Sequence, residues 1–190
     1  MSQKRENRPL LIASETIERR LLLLDARVHD AIKTDLPDTP SADDLGLAEA
    51  IDSAIISIET NGGGTASTIA YALWRLILDP LSYDAGKDVT IRIRAKTTAL
   101  GEVDATLDLE AKLLDEDGDV GADLVSTAKK DLTTAYVDYD FVIAGATLVP
   151  GGEVQLRAVL DRDDTGGTAA GTMSIVSVSV MHTAPDIDAL

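Results

Sequence analysis

The most ligand-like stretch of the chain is Asp115-Glu-Asp-Gly-Asp-Val-Gly-Ala-Asp123. Asp115, Asp117 and Asp119 reproduce the first, third and fifth positions of a calcium loop, and with Asp123 they offer carboxylate oxygens to a hard divalent cation. The match then ends. An EF-hand needs glycine at its sixth position and a bidentate glutamate at its twelfth, where this chain has Val120 and Ser126. The stretch is either a structural calcium site or a solvated hairpin tip, and Asp161-Arg-Asp-Asp164 is a second acidic tip. No other metal or cofactor is implied.

Catalytic constellations are scarce. Ser126-Thr-Ala-Lys129 matches the Ser-x-x-Lys of serine acyltransferases, in which the lysine sits one helical turn from the nucleophile. Here the segment reads as a strand, where positions three apart point to opposite faces, and no Ser-Asp-Asn or Lys-Thr-Gly follows. The two histidines, His29 and His182, have no nucleophile bracketing them. Phosphate-binding glycine loops, nucleophile elbows, His-Glu-x-x-His and dinucleotide fingerprints are all missing from the sequence. Carboxylates abound, but glycoside hydrolysis needs a cleft that raises one carboxyl pKa, usually walled by aromatic platforms. Only Tyr71, Trp74, Tyr83, Tyr136, Tyr139 and Phe141 could serve, and most of these read as core: Tyr139 and Phe141 share a face with Val137 and Ile143, and Trp74 lies in a strand apolar on both sides. The chain is not expected to be an enzyme.

At 190 residues the chain holds one domain with a core, or a domain plus an arm. Aromatics at 3% make that core aliphatic. A net charge of -16 repels phosphate backbones, so nucleic acid is not an expected partner. The absence of cysteine excludes a disulfide framework, a thiol nucleophile and cysteine-ligated metal. Apolar runs reach only about five residues, as from Pro9 to Ala13, which predicts neither a signal-peptide core nor a membrane span.

The charge divides along the chain. Residues 1–33 carry seven basic and five acidic residues, a net of +2, whereas the rest carries 10 basic and 28 acidic, a net of -18. In the first part Ile17, Leu21, Leu24, Val28 and Ala31 step by four and three, which predicts one α-helix over 15–33 after an extended start. Ser14 would cap it, Glu15 and Glu18 would suit its first turn, and Pro37 and Pro40 would end it. Such a helix either packs on its own domain or docks on a partner chain. Residues 1–47 are thus read as arm, helix and Pro/Asp-rich connector, 48–182 as the body, and 183–190 as a tail.

In the body the period changes to two. Val89, Ile91, Ile93 and Ala95 alternate with Thr90, Arg92, Arg94 and Lys96, and the same alternation runs from Val103 to Leu113. Further strands are expected at 54–60, 68–79, 123–130, 135–143, 153–161 and 172–182, separated by glycine- and aspartate-rich turns. The expected fold is mainly β: an antiparallel eight-stranded β-sandwich, or jelly roll, with an N-terminal extended arm and one α-helix. A hairpin of 89–96 with 103–112 would set Arg92 against Asp108 and Lys96 against Asp104. A jelly roll would place the two strands in different sheets, and this crossing is the favoured expectation.

The block Arg19-Arg-Leu-Leu-Leu-Leu-Asp-Ala-Arg-Val-His-Asp-Ala-Ile32, with Leu36-Pro-Asp-Thr-Pro40 and Asp43-Asp-Leu-Gly-Leu47, resembles the N-terminal region of tailed-bacteriophage virion proteins. The body of those proteins is a jelly roll similar to a carbohydrate-binding module. The body here resembles them through Asp79-Pro-Leu-Ser-Tyr-Asp-Ala-Gly-Lys-Asp-Val-Thr-Ile91, Asp115-Glu-Asp-Gly118 and Gly152-Glu-Val-Gln-Leu-Arg157. The resemblance implies a non-enzymatic capsid decoration or cement protein. It would be made in the host cytoplasm and displayed on the capsid exterior, and it would be seated on the phage major capsid protein through its arm. The expected partner surface is Ile17, Arg19, Arg20, Leu21, Leu24, Arg27 and Val28, in a homo-oligomer for which a trimer is favoured. The alternatives are a carbohydrate-binding or host-adhesion module, with Trp74, Tyr83 or Tyr136 as platforms, and a tail or fibre component.

Overall fold

The computed structural model describes residues 16–21, 27–29, 45–47, 56–59, 69–79, 83–97, 104–115, 120–163 and 172–183. These form twelve strands: β1 (Thr16–Leu21), β2 (Arg27–His29), β3 (Leu45–Leu47), β4 (Ile56–Glu59), β5 (Ile69–Ile77), β6 (Val89–Lys96), β7 (Asp104–Leu114), β8 (Val120–Asp123), β9 (Lys130–Asp131), β10 (Val137–Ile143), β11 (Glu153–Asp163) and β12 (Thr172–Thr183). One 3-10 turn, Gly145–Thr147, interrupts them.

Every strand pairing is antiparallel. The smaller sheet runs β1-β12-β6-β10, with β4 pairing β12 beyond β1. The larger runs β3-β2-β5-β11-β7-β8, with β9 also pairing β7. The chain crosses between sheets from β5 to β6, from β6 to β7, and at each step from β9 to β12, as a jelly roll does. The strands at 89–96 and 104–114 therefore lie in different sheets, and Arg92 and Arg94 stand opposite Asp140 and Asp138 of β10.

Alternation decides what lies between the sheets. The smaller sheet sends in Val89, Ile91, Ile93, Ala95, Phe141, Ile143, Met173, Ile175, Val178 and Val180. The larger sends in Ala72, Trp74, Leu76, Leu107, Leu109, Val154, Leu156, Ala158 and Leu160, and all of these are buried. On β12 the inward set changes parity between Ile175 and Val178. The pairing with β6 shifts at this point, so Val176 is an extra residue that keeps both flanking side chains inside. Close approach requires glycine at 145, where a Cβ would collide with the Lys87 carbonyl while the Gly145 N–H donates to Asp88 Oδ1 at 2.9 Å.

The helix expected over 15–33 is not formed. Thr16–Leu21 is β1 on the edge of β12, with Arg19 opposite Val180 and Leu21 opposite Val178, and Arg27–His29 is β2, which joins the other sheet between β3 and β5. Helical spacing is a weak local preference, whereas the edge of β12 offers a row of unpaired backbone groups that strand addition satisfies. Residues 1–47 consequently contribute strands to both sheets. The expected strand at 123–130 is also different: the chain leaves β8, bridges Val125 to Ile143 of the smaller sheet, and returns as β9.

Candidate binding face of the larger sheet

Strands β5, β11 and β7 are neighbours in the larger sheet, and their register lines up the outward side chains in rows. Tyr71, Val159 and Asp108 form one row, Leu73, Arg157 and Glu110 the next, and Arg75, Gln155 and Lys112 a third. Sequence alternation puts these residues outward, because their neighbours Ala72, Trp74, Ala158, Leu107 and Leu109 are claimed by the core.

The centre of this face is a fixed network. The Arg157 guanidinium lies 4.1 Å from the centroid of the Tyr71 ring, donates through Nη1 to Glu110 Oε2 at 3.2 Å, and shares that carboxylate with Lys112 at 3.3 Å. Farther along, Lys129 reaches across β7 to Asp161 at 3.1 Å, and Arg75 holds Glu153 at 3.0 Å. Outward residues on a sheet are normally open to water. Here Val159 is only 5% exposed and Thr106 8%, and the side chains of Glu110, Arg157 and Lys112 are 27–29% exposed. The face is recessed, and Arg157 Nε is buried without a hydrogen-bond partner among the described residues.

Asp108 stands apart within the row. Its Oδ1 accepts the N–H of Leu109 at 2.9 Å, at a stretch of β7 that neither β8 nor β9 pairs. Burial pushes its carboxyl above the usual range. Asp123 and Glu110 add to the rise, and the Leu109 N–H and Lys129 oppose it.

Asp108 and Glu110 project from the same side of β7, as two carboxylates must in a glycosidase. Glu110, however, is committed to Arg157 and Lys112. The arrangement suits holding a polar ligand more than cleaving one.

The residues singled out from sequence are dispersed. Asp117 and Asp119 lie outside the described residues. Asp123 Oδ1 accepts the N–H groups of Ala111 at 2.9 Å and Val125 at 3.1 Å, and among the described residues no group of three potential ligands could hold a metal. Asp115 follows the last residue of β7 and is exposed. Ile17, Arg19, Arg20 and Leu21 sit on β1, whereas Arg27 and Val28 sit on β2 in the other sheet, and Leu24 is outside the described residues. They do not form one helical stripe. Arg19 Nη2 contacts the Ile77 carbonyl at 3.5 Å.

Trp74 and Tyr83 are core residues, 3% and 2% exposed, so two of the three expected sugar platforms are closed to ligand. Tyr136 is half-buried beneath Lys96 at 4.7 Å. His182 is buried edge-on to Tyr83, and His29 lies on β2. Ser126 donates to the Val142 carbonyl while Lys129 holds Asp161, so the Ser-x-x-Lys pair is not a catalytic couple. Sequence reasoning missed Tyr71, Asp108, Glu110 and Arg157 as a group. Their polar alternation on β7 and β11 was visible, but the adjacency of β5, β11 and β7 was not.

No family model and no curated protein matches the chain. Among solved structures it is similar to a xylan-binding module CBM15, at 17% identity and a TM-score of 0.49 over 90% of this chain and 97% of that one. It is also similar to the CBM22-1 xylan-binding domain of Xyn10C from Paenibacillus barcinonensis, at 18% identity and a TM-score of 0.42 over 68% of this chain and 74% of that one. A third likeness, at 12% identity and a TM-score of 0.44, is to carbohydrate-binding modules of the β-sandwich superfamily, over 86% of this chain and 55% of the other.

Proposed function

We propose that the chain is a non-catalytic module that binds a carbohydrate on the outer face of the larger sheet. The observation that carries this reading is the recess around Tyr71, Arg157 and Glu110, where outward polar groups are held in place and partly desolvated. A sugar offers hydroxyls to planar donors and acceptors, and C–H groups to an aromatic ring. The face offers a guanidinium, carboxylates, the Gln155 amide and the Tyr71 ring within adjacent rows. A protein partner would call for an apolar centre depleted of charge, and the centre here is charged. A nucleic acid would call for uncompensated cations, and Arg75, Lys112, Lys129 and Arg157 each face a carboxylate.

The segment expected to seat the chain on a capsid contributes β1, β2 and β3 to the two sheets, so attachment through a free helix finds no support in the fold. The binding reading is tested by native electrophoresis through gels containing soluble xylan, β-glucan or mannan. Retardation by at least one polymer is expected, and it should be lost in Arg157→Ala and Tyr71→Ala. Unretarded migration in all three gels, or retardation unchanged in both variants, would overturn it.

A further inference from the structure

Four cations of this face have a carboxylate partner: Arg75 has Glu153, Lys112 and Arg157 share Glu110, and Lys129 has Asp161. Asp108 has no cation of its own among these pairs. It lies in the same row as Tyr71 and Val159, directly opposite Val159, and among the described residues its carboxylate makes one hydrogen bond, through Oδ1 to the Leu109 N–H. Its second oxygen has no partner there. An ionised carboxylate has about four lone-pair sites, so a fixed acceptor with spare capacity faces the recess.

We infer, building on the carbohydrate reading, that Asp108 is the residue through which this face grips the hydroxyl groups of an uncharged polysaccharide, and that the grip is released by acidification. The choice of an uncharged polymer follows from the neutralised cations. An anionic polysaccharide would find Arg75, Lys112, Lys129 and Arg157 already paired and would meet a protein of net charge -16. Asp108 determines the pH response because it accepts two hydroxyl hydrogens only while ionised; protonated, the same oxygen must donate, and the hydrogen-bond pattern no longer matches.

The surrounding charged groups agree on the direction. Glu110 on the same strand and Asp123 at the end of β8 disfavour the ionised form, as does burial beside Val159, while Lys129 favours it. Arg157 and Asp161 on β11 are each engaged in a pair of their own. Release therefore begins at a higher pH than an ordinary carboxylate would give.

The experiment measures the affinity of the full chain for soluble xylan and β-glucan by titration calorimetry from about pH 7 to about pH 4, a range spanning carboxylate titration. Asp108→Asn keeps an oxygen for the Leu109 N–H and removes the charge. The wild-type affinity should fall by about tenfold in all as pH drops through the Asp108 midpoint, as for one deprotonation that strengthens binding. The Asp108→Asn variant should bind about tenfold more weakly near pH 7 and show a flat profile. Glu110→Gln should weaken binding while leaving the slope in place. A variant profile parallel to the wild type overturns the role of Asp108 alone. Absence of binding to either polymer at any pH overturns the carbohydrate reading, and this inference with it.

Discussion

The two outer faces of the sandwich are both charged, yet they are organised on different principles. On the smaller sheet, Arg92 and Arg94 of β6 stand directly opposite Asp140 and Asp138 of β10. Arg92 grips Asp140 with two bonds of 2.7 and 2.8 Å, and Arg94 reaches Asp138 at 2.9 Å. Each of these two arginines has its own acid, and the four side chains remain 38–46% exposed. On the larger sheet one acid, Glu110, serves two cations, Asp108 has none, and the participating groups are more deeply set. A face whose charges are paired one to one is closed to further hydrogen bonding, whereas a face with a shared acid and a spare one keeps capacity for a ligand. Cross-strand pairing serves stability in the first case and leaves recognition open in the second.

The largest effect that sharpens this contrast lies just beneath the smaller sheet's ladder. Phe141 follows Asp140 on β10, points inward and is fully buried. Phe141→Ala should cost about 3–5 kcal/mol in chemical denaturation, because a ring-sized void opens between the sheets. Below its melting transition the variant should still bind polysaccharide as the wild type does. A binding loss as large as the loss of stability would mean that the faces are not separable.

The next effect is on binding alone. Arg157→Ala should weaken polysaccharide binding at least about tenfold, equivalent to about 1.4 kcal/mol, by removing the guanidinium from Tyr71 and freeing Glu110. Arg92→Ala, an arginine removed from the other face, should leave affinity unchanged. Equal losses in both variants would break the comparison, since they would point to a general charge effect.

The sequence was most legible where a strand buries one side only. In β6, β7 and β10 the alternation of Val89 to Ala95, Ala105 to Ala111 and Tyr139 to Ile143 is the pattern of burial, and of the hairpin and the crossing that it left open for β6 and β7, the favoured crossing is the one found. Burial of Trp74 followed from a strand apolar on both sides. The first third of the chain was not legible. Ile17, Leu21, Leu24 and Val28 satisfy a helical period as well as they feed short strands, and β2 and β3 are three residues each, below the length at which alternation can be recognised. The binding face was hidden for a different reason. Tyr71 shares its strand with Trp74 and reads as core, and its contact with Arg157 spans 86 positions of chain, so only the long-range order β5-β11-β7 brings them together.

The smallest expected effect distinguishes the two faces by sign. Hydrogen bonds from Arg92 hold the Asp140 carboxyl below its ordinary value, so the ionised form is favoured by folding. That stability is present above the unfolded carboxylate value near pH 4 and is lost as pH falls through the lower folded value. For Asp108 the shift is upward. Folding disfavours its ionised form, so it costs stability at neutral pH, and the cost disappears as pH falls through the raised value. Asp140 is exposed and Asp108 only half-buried, and solvent screening keeps each effect to about 1 kcal/mol. Denaturation curves near pH 7 should therefore show Asp140→Asn slightly less stable than wild type and Asp108→Asn slightly more stable, with the Asp108 difference disappearing first as pH falls and the Asp140 difference persisting to lower pH, until its own carboxyl is protonated. Two differences of the same sign near pH 7 would show that Asp108 is held by a structural partner after all. It would then be one more rung of a closed ladder, like Asp140, and the larger sheet would lose the spare acceptor that sets it apart.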